Sequence, residues 1–218
     1  EIAQSECANE APFANYWLHN NHMLSNGTKI SKSLNNGYTL NDIYNKGYSA
    51  NDFRMLLLQS HYRTESNFSW DNLQSAKNRL ANWANIACLR WQITKSNLDY
   101  SDQYTNAITK INDALSNDLD CPAALIEVEK ALNYAEEHGV TEQTVNDFTK
   151  FLEHIQSSLG LEVLSKDINN DQKQILAKRK NARDNNDWQE SDNLRNLLLE
   201  QGIEVKDTKI GQIWYRAN

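Results

Sequence analysis

Four stretches of the chain carry apolar residues at three- and four-residue spacing, the signature of helices with one buried face. Leu73, Ala76, Leu80, Trp83, Ala87 and Trp91 form the first stripe, behind Ser69 as a helix cap. Tyr104, Ile108, Ile111 and Leu115 form the second. Leu125, Val128, Leu132 and Ala135 form the third, opened by Asp120 and Pro122 and closed by Gly139. Val145, Phe148, Phe151, Leu152, Ile155 and Leu159 form the fourth, closed by Gly160. Short polar loops join them, so the pattern predicts an antiparallel bundle with Trp83 and Trp91 in its core.

The pattern changes on both sides of that bundle. Tyr16–Leu24 and Thr28–Ile30 flank Asn26-Gly27, a pair suited to the two positive φ values of a tight hairpin turn, which predicts a β-hairpin with His19 and His22 on its first strand as structural residues. Thr39 with Asp42, and Ser49 with Asp52, each place an acid three residues after a hydroxyl cap and predict two short helices. Gly47 closes the first, and the second carries Phe53, Met55, Leu56 and Leu57 toward His61-Tyr62-Arg63. After Leu159 the stripe stops, which makes Leu161–Asn170 the candidate linker. Beyond it a helix over Gln172–Arg183 is expected, then one from the Asp187 cap to Leu199 with Gly202 as its stop. A hairpin of Ile203–Val205 and Ile213–Tyr215 follows, turning through Asp207–Gly211. The expected architecture is mainly α, in three units: residues 1–48, 49–165 and 166–218.

Charge divides the chain in the same way. The net charge of −7 argues against a general nucleic-acid binder, yet Ser96–Ser165 holds thirteen acids against three lysines, so the ends are net basic. Between Lys173 and Arg183 five basic residues, Lys173, Lys178, Arg179, Lys180 and Arg183, stand with no acid among them, and a phosphate backbone would meet that end. Cys7, Cys88 and Cys121 are odd in number and widely spaced, which fits reduced thiols in a cytoplasmic protein. No apolar run reaches transmembrane length, and no charged-then-apolar leader opens the sequence. The chain starts at Glu1 without an initiator Met, which suggests a fragment of a longer protein.

The densest candidate chemistry lies in Gly27–Asn36, where Lys29, Ser31, Lys32 and Ser33 fall within five positions behind a glycine turn. Lys29 and Lys32, three apart, would point to one side of a helical turn with the Ser31 and Ser33 hydroxyls beside them, an arrangement suited to a phosphate whose charge grows in a transition state. A short motif of this kind also occurs as an exposed, soluble turn.

Glu1-Ile2-Ala3-Gln4-Ser5, Asn15-Tyr16-Trp17-Leu18-His19-Asn20, Lys29-Ile30-Ser31-Lys32-Ser33, Phe53 to Arg63 and Trp214-Tyr215-Arg216 together resemble cysteinyl-tRNA synthetase of the bacterial type, a class I aminoacyl-tRNA synthetase. The resemblance spans nearly all of the chain and corresponds to the family's C-terminal half. It implies that Lys29–Ser33 is the Lys-Met-Ser-Lys-Ser (KMSKS) loop, with Ile for Met, closing over ATP while cysteine is activated and passed to tRNA(Cys). Lys32 and then Lys29 would stabilise the leaving pyrophosphate. Where the family has Gly-Asn after the signature leucine, this chain has Asn35-Asn36. The helical bundle would be the family's Ala-Leu-Arg (DALR-like) unit, of which Asp52-Phe53-Arg54 keeps only the arginine, a residue for tRNA contact or a surface salt bridge. Glu1 falls on one of the family's four zinc-ligand positions. One carboxylate does not hold zinc alone, so no zinc is expected here. The family's anticodon-reading residues fall on Arg183, Trp188, Asp192 and Asp207, although Trp188 could instead be the core of a small unit and the aspartates a cap and a turn. The family's His-Ile-Gly-His signature and cysteine pocket have no counterpart in these residues, so the chain alone is expected to be inactive; separately, a monomer is expected. A mycothiol-pathway ligase and a non-catalytic RNA-binding module are the rival readings.

Overall fold

The computed structural model describes residues 1–94 and 102–217. It is mostly helical: α1 (Ile2–Asn9), α2 (Leu40–Asn45), α3 (Ala50–Leu58), α4 (Trp70–Ala87), α5 (Asp102–Ser116), α6 (Cys121–His138), α7 (Val145–His154), α8 (Asn170–Asp184) and α9 (Trp188–Glu200). Two small sheets complete it, β1 (Met23–Ser25), β2 (Thr28–Lys29) and β3 (Ser66–Phe68) near one end, and β4 (Ile203–Thr208) with β5 (Gly211–Arg216) at the other.

The helices start where side chains can satisfy their first free backbone amides. Thr39 and Ser49 form reciprocal capping boxes with Asp42 and Asp52, Ser69 accepts from the Asn72 amide, and Asp120 accepts from Ala123 behind Pro122. Phe148, Phe151, Leu152, Ile111, Tyr104, Leu125, Val128, Leu132, Leu73 and Trp83 then close a single core shared by α3 to α7. Burial raises the Tyr104 hydroxyl well above the ordinary phenol range.

Trp91 departs from the first stripe. It is 42% exposed, whereas Trp83 is 1% exposed. The α-helix ends at Ala87 and tightens into a 3₁₀ turn, Cys88–Trp91. Three residues per turn instead of 3.6 rotate the last position off the buried face. Trp91 lies instead under the Arg90 guanidinium, 4.4 Å from its ring, and donates to the Ser165 carbonyl.

The predicted linker is also corrected. Residues 160–169 form neither helix nor strand, yet Leu161 and Val163 are buried in the main core and Ile168 in a second one. That second core gathers Cys88, Leu176, Leu198, Ile203, Val205 and Trp214. Gln92 fastens the C-terminal hairpin to the end of α4, accepting from Trp214 N (2.7 Å) and donating to Trp214 O (2.9 Å). Ile213 and Tyr215 of β5 reach into the main core, and burial pushes the Tyr215 hydroxyl up to about 12. A unit of this size has little core of its own, and its hairpin draws on the bundle.

Arg54 forms no ion pair among the described residues. Its Nε donates to the Leu159 carbonyl at 2.6 Å, covering the carboxyl end of the π-helical turn Ile155–Leu159 that extends α7. Gly160, at φ 66°, makes room for it: a Cβ there would stand 2.6 Å from Arg54 Nε. Gly160→Ala is expected to lower stability by about 2 kcal/mol, through left-handed backbone strain and displacement of Arg54. A denaturant midpoint indistinguishable from wild type would refute that account.

Candidate functional site

The lysine loop is built on the first sheet. Asn26 and Gly27 take φ of 50° and 73°, which turns β1 back on β2 with Leu24 opposite Lys29 and Ser25 opposite Thr28. The hairpin is much shorter than predicted. Asn21 N donates to Tyr62 O and Ser66 N to His22 O, so the chain before Met23 is bonded to the 61–66 segment, and His19 and His22 lie outside the strand. On the far side of the turn the Lys29 carbonyl accepts from Asn36 Nδ2 (3.1 Å), which ends the ladder. A strand absent from the sequence reading, β3, pairs in parallel with β1. It also anchors the turn, because Gly27 N donates to Asn67 Oδ1 at 2.7 Å and Asn26 N to Phe68 O. From Phe68 the chain passes directly into the Ser69 cap of α4, so the hairpin is coupled to the bundle.

Residues 30–36 are held by their own polar groups. Asn36 accepts from Ser31 N (2.9 Å) while donating to Lys29 O, and so closes the loop at its base. Ser31 Oγ accepts from Leu34 N and lies 3.2 Å from Ser33 Oγ. Asn35 takes φ 45°, a conformation that asparagine tolerates nearly as well as the glycine it stands in for. Beneath the returning chain, the Tyr38 ring lies 5.3 Å from Phe68 and 5.0 Å from Trp70. Lys29 is on β2 and Lys32 in the following turn, so the two do not share a helical turn; both are exposed, and neither is ion-paired among the described residues. Glu1 is exposed at the N-terminal end of α1.

At the other end, α8, α9 and the β4–β5 hairpin bring three of the four predicted residues together. The Arg183 guanidinium lies over the Trp188 ring at 5.4 Å and contacts Asp207 Oδ2 at 3.2 Å. Trp188 is 55% exposed. It is therefore not a core residue, and its indole is presented to solvent under a cation. Asp192, one turn along α9, is exposed and lies 3.9 Å from Arg195. Asp207 is within β4, opposite Gln212, rather than in the turn.

Arg179, one of the five cations expected to meet a phosphate backbone, instead lies inside the fold. The side chain is 1% exposed and forms a two-pronged bond to Asp207, Nη1 to Oδ1 at 3.0 Å and Nη2 to Oδ2 at 2.9 Å. Its Nη1 also donates to Gln212 Oε1 at 2.6 Å. Lys173 is paired with Asp167. Lys178 and Lys180 remain exposed on α8. The sequence carried one sign of this difference: Arg179 stands three residues from both Leu176 and Ala182, on the buried face of α8. The Arg179 guanidinium holds the Asp207 carboxyl below the usual carboxylate range.

Residues 1–78 match the family profile of the tRNA synthetases class I (C) catalytic domain, and residues 165–214 that of the cysteinyl-tRNA ligase anticodon binding domain. The chain is 32% identical over 228 residues to a cysteine–tRNA ligase of Chlamydia muridarum, covering 97% of this chain and 48% of that protein. It is likewise 32% identical over 236 residues to one of Lachnoclostridium phytofermentans, covering 100% of this chain and 50% of that protein. The chain belongs to the cysteinyl-tRNA synthetase family. It spans about half the length of the curated relatives it matches. The lysine loop lies within the segment matched to the catalytic domain. The Arg183–Trp188 face lies within the segment matched to the anticodon-binding domain of a cysteinyl-tRNA synthetase.

Proposed function

We propose that this chain is the C-terminal portion of a ligase that activates cysteine with ATP and transfers it to tRNA(Cys). Residues 1–48 contribute the closing lysine loop, residues 49–165 the bundle that carries it, and residues 166–218 the unit that reads the anticodon. Lys32 and Lys29 serve the pyrophosphate of ATP, with the Ser31 and Ser33 hydroxyls beside them. In the whole protein Glu1 supplies one zinc ligand. Zinc takes about four, and the described residues contain no group of three or more His, Cys, Asp or Glu placed to hold a metal.

The observation that carries the reading is the exposed Trp188 indole beneath Arg183, in a segment that matches an anticodon-binding domain. Bases of a single-stranded loop stack on such a ring, and a guanidinium beside it donates to base edges or phosphates. A mycothiol-pathway ligase would have no use for this unit, so the match over residues 165–214 favours the tRNA ligase. Trp188→Ala is expected to weaken binding of a tRNA(Cys) transcript by roughly 1 to 3 kcal/mol, the range of other lost base–aromatic stacks. Asp192→Ala should relax discrimination at one anticodon position, whereas Lys178→Ala or Lys180→Ala should weaken all tRNAs about equally and flatten the salt dependence. Unchanged preference between cognate and anticodon-swapped transcripts in folded Trp188→Ala and Asp192→Ala variants would refute the assignment.

A further inference from the structure

The carboxylate of Asp207 is already engaged in the free protein. Oδ1 accepts from Arg179 Nη1, and Oδ2 accepts from Arg179 Nη2 and contacts Arg183 Nη1. Arg179 cannot swing away to release it, because its guanidinium is buried and also donates to Gln212 Oε1, and Gln212 in turn donates to the Leu176 carbonyl of α8 at 3.1 Å. Gln212 is the cross-strand partner of Asp207, so β4, β5 and α8 each contribute one member of a closed bracket. Three of the carboxylate's roughly four acceptor positions are thus taken, two of them by a two-pronged, charge-assisted pair, the strongest kind of hydrogen bond in proteins. Arg183 is different. Its contacts among the described residues are Asp207 on one side and the Trp188 ring on the other, and it is about a third exposed.

Two guanidinium groups share one carboxylate here, so one positive charge is left over, and it sits on the exposed member. From this geometry we infer that Asp207 is a positioning residue rather than a reader of bases: Arg179 fixes Asp207, Asp207 fixes Arg183 over Trp188, and Arg183 alone of the three touches RNA. The ligand side is then a cation-capped indole, which suits a stacked base whose carbonyl edge or 5′ phosphate accepts from Arg183. This inference rests on the anticodon reading above and assigns the roles within it.

The test is a double-mutant cycle on the 218-residue chain, with binding of a tRNA(Cys) transcript and an anticodon-swapped transcript measured for each variant. Arg183→Ala and Asp207→Asn are each expected to cut the preference for the cognate transcript by about ten-fold, and the double variant by no more than either alone, since Asp207 acts through Arg183. A direct reader would instead multiply, to about a hundred-fold. Arg179→Lys, which keeps the charge but loses the fork, should lower the preference while binding of the swapped transcript stays the same; a merely structural role would weaken both transcripts together. The cycle itself uses two partly exposed residues, and Asp207→Asn keeps an oxygen to accept from Arg179, so it does not depend on the buried variant folding. Multiplicative losses, or an Asp207→Asn variant with full preference, would overturn the bracket and leave the anticodon reading standing. If Arg183→Ala and Trp188→Ala both keep full preference, the anticodon reading fails, and the bracket with it.

Discussion

In a full-length ligase carrying this sequence, Lys32→Ala is expected to slow cysteine activation by about 2 to 4 kcal/mol of transition-state energy, the scale of one removed charge-stabilising donor. The loss should appear in kcat for ATP–pyrophosphate exchange and spare cysteine affinity, because in the proposed role Lys32 meets charge that builds on the leaving pyrophosphate and not on the amino acid. The fold supports a clean reading of this variant. Lys32 is exposed at the tip of a loop whose shape is fixed by Asn36 and Ser31, and its side chain forms no ion pair among the described residues. Truncation therefore removes a charge and leaves the loop closed at its base. Lys29 is anchored in β2 opposite Leu24, so its reach is narrower and its truncation should cost less. Equal losses in kcat and in cysteine binding for Lys32→Ala would refute the assigned role.

What the sequence disclosed followed from local chemistry. Capping pairs such as Thr39 with Asp42, the Asn26-Gly27 turn and the stripes through Leu80, Leu132 and Phe151 each express rules acting within a few residues, and the helices and the turn formed where those rules place them. The failures came from partners distant in sequence. Nothing near Ser66 announces a strand, because β3 exists only by pairing with β1 some forty residues earlier. Residues 161–168 read as a linker since they lack a helical period, yet an extended segment crossing two cores buries Leu161, Val163 and Ile168 without needing one. Trp91 left its stripe because the helix changed pitch at Cys88. At the candidate sites, residue types were legible and directions were not. Five cations in eleven positions suggested one basic face, but a helix spreads such residues around its axis, and Arg179 fell on the buried side.

Arg179 also sets the largest stability effect expected in the C-terminal unit. Asp207→Ala removes its counter-charge and leaves a buried guanidinium with Gln212 as its sole remaining acceptor among the described residues, where Arg179 Nε already has no partner. Uncompensated buried charges typically cost about 3 to 5 kcal/mol. The lower end, about 3 kcal/mol, is expected here, because Asp207 is partly exposed and water can follow the deleted side chain. Replacing both partners, as in Arg179→Met with Asp207→Leu, should restore most of the stability, since the desolvation penalty goes with the pair, while recognition through Arg183 should not return. Acid reports on the same bond. The folded-state pKa of Asp207 is depressed, so its stabilising contribution is present above the ordinary aspartate range, about 4, and is lost as pH falls through the lower folded value. Denaturant melts between pH 7 and pH 3 should therefore show the gap between wild type and Asp207→Ala narrowing toward the acid end. A gap that stays constant across that range would mean that packing, and not the Arg179 charge, accounts for the loss.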